Sequence, residues 1–180
     1  MKLNVRNALL TALCSLALSP GLTMAQDDLR AEADITLKGF QDADSSLTNL
    51  LTGAAGYAIF PGVGKGGMFF GAEHGNGVVY ENGKPIGEAT LTEINVGSQI
   101  GGQTFDEIIF FETFGALRHF KEGHYEVSAK VHATVGAEGA ALNAKYREGV
   151  VVFTLPRSGL MIQAAVGGQK FNFKPLPSSP

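Results

Sequence analysis

Twenty-four of the 180 residues are glycine, and they are spread through apolar segments, not gathered into a linker. That is roughly twice the usual share of about 7%. Glycine in this setting serves tight turns and close strand contacts more than disorder. Hydrophobic residues make up 44% of the chain and charged residues 17%, and 180 residues are enough for one domain with a real core.

The hydrophobic period divides the chain. Over 27–51 it is helical: Leu29, Ala33, Leu37 and Phe40 recur on one face, with acidic and basic residues on the others. Gly39 weakens the middle, and a second short helix is predicted over 43–51. After Gly56 the period becomes two. Strands are predicted at 57–60, 67–73, 77–81, 85–90, 95–103, 105–111, 125–135, 140–146, 150–155, 160–166 and 170–174. Asn82-Gly83 predicts a type I′ hairpin, because both central positions need positive φ. One further helix is predicted over 113–122, capped by Thr113 and ended by Gly123. Pro156 to Gly159 reads as a turn, and the tail from Pro175 as unstructured. The fold class predicted is α+β: N-terminal helices on a highly curved antiparallel sheet, a partly closed barrel or a sandwich, with the helix near 113–122 added.

The N-terminus reads as a signal peptide, residues 1–25. Lys2 and Arg6 precede an apolar run from Ala8 to Leu18, Pro20 and Gly21 break it, and Thr23-Met24-Ala25 supplies small residues before a cleavage point after Ala25. The predicted product is periplasmic or secreted, with outer-membrane association a further option. Cys14, the single cysteine, would leave with the signal, so neither a disulfide nor thiolate chemistry is expected. Loss of two positive charges moves the net charge from −3 to −5. A mildly acidic chain without a basic run does not point to nucleic acid.

Gly62, Gly64 and Gly67 in YAIFPGVGKGG spell G-x-G-x-x-G. A dinucleotide site needs those glycines to follow a strand and open a helix. Here Pro61 intervenes and strand and turn patterns follow. The Walker pattern fails too, since Ile59 and Gly66 stand where glycine and Ser/Thr are required. No nucleotide is predicted. The glycines are read as letting the chain reverse after Pro61, with Lys65 on a mobile loop as a solvated residue or a contact for an anionic headgroup.

No catalytic residue, metal ligand or cofactor is predicted. His74, His119, His124 and His132 lack metal-site spacing. Ser98 lies outside any nucleophile motif. Asp106, Glu107 and Glu112 read as solvated charges at strand ends. The phenylalanines are more informative: Phe69-Phe70 and Phe110-Phe111 place one ring on each sheet face, so both faces are covered or one aromatic of each pair is exposed.

These segments together resemble the SYLF domain family, also described as the Ysc-type actin-binding domain. The resemblance runs through YAIFPGVGKGG, GNGVVYENGKPIG, VGSQIGGQTFDEIIFF, LRHFKEG and GVVVFTLPRSGLMIQAAVGGQKFNFKP, about residues 30–175. It implies a domain over 26–175, a tail at 176–180 and a non-catalytic lipid-binding function, with anionic or phosphoinositide-like phospholipid as ligand. The alternative reading is a structural or protein-interaction module of the periplasm with an envelope protein partner. The bacterial relatives are exported single-domain proteins or lipoproteins, so the adaptor roles and actin binding of eukaryotic members do not transfer. Arg30, Lys38 and Lys65 are the basic candidates for lipid contact, with Phe69 and Phe70 the apolar ones. The N-terminal segment, basic in eukaryotic members, is acidic overall here.

Overall fold

The computed structural model describes residues 20–66, 70–123, 126–127, 132–134 and 139–177. Its elements are α1 (Pro20–Ala43), α2 (Leu47–Gly53), β1 (Gly56–Gly66), β2 (Phe70–Glu81), β3 (Lys84–Phe111), α3 (Phe114–Lys121), β4 (Glu126–Val127), β5 (His132–Thr134), a 3₁₀ turn (Ala140–Asn143) and β6 (Val150–Pro175). The fold is α+β. Its six strands form one curved sheet in the order β1-β2-β3-β6-β4, with β5 parallel to β6 and every other pairing antiparallel.

The strands are fewer and longer than the sequence predicts. Predicted breaks inside β1, β2, β3 and β6 prove to be bulges or nothing at all. Residues 156–159 are not a turn: β6 runs through them and shifts register by one residue against β3. Where a strand was predicted over 140–146, Ala140–Asn143 form a 3₁₀ turn, because Gly139 enters with φ +87° and Asp44 holds the amides of Gly139 and Ala141. Just past β6 the Leu176 amide donates to the Ile86 carbonyl. Other features agree with the reading. Asn82 and Gly83 take φ 51° and 73° in the β2–β3 hairpin. Thr113 accepts the Ala116 amide at the start of α3, and Gly123 closes that helix at φ 71°.

Two apolar layers flank the sheet. On one face Tyr57, Ile59, Val78, Ile108, Phe110 and Phe153 meet Ala33, Phe40 and Leu47 of α1 and α2. On the inner, concave face Phe60, Leu91, Ile109, Phe111, Val152 and Phe171 meet Leu117 and Phe120 of α3. Phe60 of β1 and Phe171 of β6 lie 5.7 Å apart although β2 and β3 separate their strands, which measures the curvature. Phe110 and Phe111 are both buried, one in each layer, so at that pair both faces are covered.

Candidate functional site

The glycine-rich stretch is a bent strand. β1 continues through Pro61, and its register against β3 slips between Phe60 and Val63. Proline has no N–H to lose at such a bulge, and Gly62 takes φ +65° there. The expected reversal after Pro61 does not occur. β1 ends at Gly66 and β2 begins at Phe70; residues 67–69 lie outside the described residues. No helix follows Gly62 or Gly64, and the nucleotide geometry is absent from 56–66.

A second bulge faces the first. In β6, Pro156 pairs with Phe105 and Ser158 with Thr104, which leaves Arg157 unpaired. Asp106 sits between the two bulges on β3. It is 5% exposed, accepts the Gly62 amide at 2.8 Å and pairs with the Arg157 Nε at 2.5 Å. Arg157 also donates to the Thr36 hydroxyl on α1, 3.1 Å away. One carboxylate thus satisfies both bulges, and one guanidinium fastens α1 to them. Glu107, next in sequence, is fully buried and receives the Gln169 amide at 3.0 Å and 3.3 Å. Of the three carboxylates expected to be solvated, only Glu112 is exposed. Glu107 is interior on the concave face, where Gln169 meets it, and Asp106 is covered on the opposite face by Arg157, which reaches Thr36 of α1; alternation alone reveals neither.

Beyond these bulges the sheet changes character. β1 and β2 are antiparallel; β1 pairs antiparallel with 102–111 of β3, and β2 pairs antiparallel with 84–96. The two halves of β3 therefore run in opposite directions, and the strand doubles back between Val96 and Gly102. β6 stays paired with β3 throughout and follows the same bend. The bend of the β3–β6 ribbon, the end of β1 and the start of β2 thus lie at one end of the sheet. That end carries no charge. Residues 66–72, 94–105 and 158–169 contain no Asp, Glu, Lys or Arg. Register sets Phe70 beside Val96 and Val96 beside Val166, a transverse row of three apolar residues.

The three basic residues singled out from the sequence lie apart. Arg30 lies 3.9 Å from Asp27, and Lys38 lies 3.5 Å from Asp42, both within α1. Arg30 is close enough to Tyr80 to oppose the rise of its hydroxyl pKa, which burial and then Asp34 drive upward. Tyr80 pairs with Tyr57, eight residues along β1 from Lys65, roughly 26 Å at about 3.3 Å per residue. Lys65 is not on a loop: it occupies a strand position between Glu73 and Gln103. Phe70 belongs to the uncharged row. Phe69 lies outside the described residues. Among the described residues no group of three or more His, Cys, Asp or Glu side chains is placed to hold a metal ion, and no helix is long and apolar enough to cross a membrane.

Sequence reasoning missed Asp44. It is buried and accepts hydrogen bonds from the Ser46 hydroxyl and amide and from the amides of Gly139 and Ala141. It also missed the Asp106–Arg157 pair; the one signal available was two glycine- or proline-marked irregularities flanking an Asp within strand-like sequence.

No family model matches the chain. It is similar to Beta cell expansion factor A of Aeromonas veronii, 27% identical over 142 residues. That alignment covers 77% of this chain and 53% of the relative, so the chain spans about half the length of the curated relative it matches.

Proposed function

We propose that this chain is an exported, non-catalytic lipid-binding module of the SYLF type, acting at a membrane surface of the bacterial envelope, in the periplasm or at the outer membrane. The observation that supports this best is the uncharged end of the sheet, with its transverse row Phe70–Val96–Val166. Burying one large apolar side chain contributes about 1.5–3 kcal/mol, so this row alone supplies several. A basic residue near an anionic surface contributes about 1 kcal/mol. Arg30 and Lys38 each have a carboxylate within 4 Å, which reduces even that. Apolar contact therefore dominates, and the headgroup charge matters less than in a phosphoinositide reader.

Flotation of the protein with phosphatidylcholine vesicles, and with vesicles containing anionic lipid, tests this reading. Binding to both with weak salt dependence is expected. Flotation with neither removes the proposal, and capture of an envelope protein under the same conditions favours an interaction module instead.

A further inference from the structure

α1 begins at Pro20 and runs unbroken to Ala43, so the cleavage point read after Ala25 falls inside it. The seat of α1 on the sheet lies further along. Ala33 and Phe40 are fully buried and Leu29 packs against the same layer. Ala25, Asp27 and Asp28 are exposed, and Gln26 is half-buried. Removal of residues 1–25 therefore shortens α1 and leaves Leu29, Ala33 and Phe40 in place.

The cut changes what stands at position 26. In an α-helix each N–H donates to the carbonyl four residues earlier. For residues 26–29 those carbonyls belong to residues 22–25, all within the removed segment. The new end has four N–H groups without a helical acceptor. Asp27 and Asp28 are both of the type that caps a helix well, so the shortened helix has a start beyond Gln26. Asp27 has Arg30 as its ion-pair partner, 3.9 Å away. Gln26 thus carries a free α-amino group, and no backbone hydrogen bond of α1 ties down its nitrogen.

Glutamine in that position has a reaction open to it that the same residue inside a chain lacks. Its α-amino nitrogen and its side-chain Cδ close a five-membered ring. The unprotonated nitrogen attacks Cδ and a new C–N bond forms. The bond from Cδ to Nε2 breaks, and Nε2 leaves as ammonia with the proton that the amine gives up. The product is a lactam, pyroglutamate. Nothing is oxidised or reduced, and no co-reactant is consumed. An α-amino group has an ordinary pKa of about 7.7–8.0, so roughly a tenth of it is unprotonated at neutral pH. A five-membered ring is tolerated at a helix start, as that of proline is, because the groups there have no helical bond to lose.

We propose that the exported chain begins with pyroglutamate, formed when Gln26 cyclises on itself after cleavage behind Ala25. This rests on the export reading and adds a modification site, its chemistry and its effect. The ring removes a positive charge from the positive end of the α1 dipole. It also removes the free amine that an aminopeptidase requires, and so protects the helix that covers the outer face of the sheet.

The full precursor is expressed in a bacterial host, the cells are fractionated, and the protein is purified from the fraction that holds it. Intact mass and Edman sequencing are measured before and after treatment with pyroglutamyl aminopeptidase. The expected mass is that of residues 26–180 less one ammonia. Edman degradation should be blocked at first and should read Asp27-Asp28-Leu29 after treatment. Gln26→Ser should be cut at the same point, keep its full mass and read from position 26 without treatment. A wild-type chain that starts at Gln26 with a free amine and full mass, one cut at another residue, or a Gln26→Ser variant that is equally blocked overturns the ring and leaves export standing. A protein that stays in the cytoplasm with residues 1–25 attached overturns both.

Discussion

Replacing Asp44 by alanine tests how the α1–α2 corner is tied to the rest of the chain. The side chain is 1% exposed and accepts four hydrogen bonds, two of them from residues 95 and 97 positions away. The Ala141 amide, held at 2.9 Å, sits in a buried setting. Leaving it unpaired costs about 1–3 kcal/mol, and losing the contacts that start α2 costs about 1 kcal/mol more. The expected total is about 3 kcal/mol. For a domain of this size that lowers the melting temperature by about 6–12 °C. The effect should depend on pH with a definite sign. Burial pushes the Asp44 pKa up, but the Ser46 hydroxyl and the amides of Ala141, Ser46 and Gly139 outweigh it, and the pKa falls below the usual 3.8. A depressed native pKa stabilises fully above the unfolded value and loses that contribution as pH falls through the native value. Urea unfolding of the wild type and Asp44→Ala, followed by circular dichroism from pH 7 down to about pH 2.5, measures both terms. A difference below about 1 kcal/mol at pH 7, or one that stays constant into acid, would refute the reasoning.

Four further outcomes are expected. Arg157→Ala should cost about 1–3 kcal/mol in urea unfolding, less than a fully buried pair because Arg157 is partly exposed and Asp106 keeps the Gly62 amide; it should also speed amide exchange in α1 ahead of the sheet. Gly62→Ala should cost about 1–2 kcal/mol from backbone strain at φ +65°, since the added methyl would meet nothing closer than Arg157 Nη1 at 3.5 Å; Gly77→Ala should cost more, with the Ile59 carbonyl 2.5 Å from the new carbon. Tyr57, Tyr80 and Tyr146 have raised pKa values through burial, helped by Asp34 for the first two and Glu112 for the third. Phenolate absorbance should therefore lag above pH 10, and stability should fall from the unfolded tyrosine pKa upward, because the native state holds its protons longer. Lys38→Glu should change vesicle binding by less than about threefold, because Lys38 is exposed and already faces Asp42.

Much of the fold was legible because local rules decided it. Asn82-Gly83 fixed a hairpin by its need for positive φ, and Thr113 and Gly123 bounded α3 as a cap and a left-handed stop. Strand identity after Gly56 followed from period two. Strand length did not. Pro61, Pro156 and the glycines read as breaks, yet the sheet absorbs them as bulges because Asp106 supplies from a third strand the acceptor that both irregularities need. That acceptor lies 44 residues from Gly62, beyond any local window. The same remoteness hid Asp44, whose partners sit near residue 140. Lys65 was misplaced for a related reason: its glycine neighbours suggested a loop, while its pairing with Glu73 and Gln103 depends on where β2 and β3 return.

The alternation itself was visible in the sequence, but its meaning was not, because a period fixes two faces without saying which is inside. That assignment comes from the buried residues at either end of the long strands. Leu91 and Ile109 are both interior, and Ile108 and Phe110 lie in the opposite layer. Helices cover the outer face where α1 and α2 lie over Tyr57, Ile59, Val78, Ile108, Phe110 and Phe153. Arg157 fastens α1 to the sheet at the bulges that border the uncharged end. The same bulges therefore do two things at once: they seat the helix that completes the outer layer of the core, and they bend the sheet where the uncharged stretches of β3 and β6 begin.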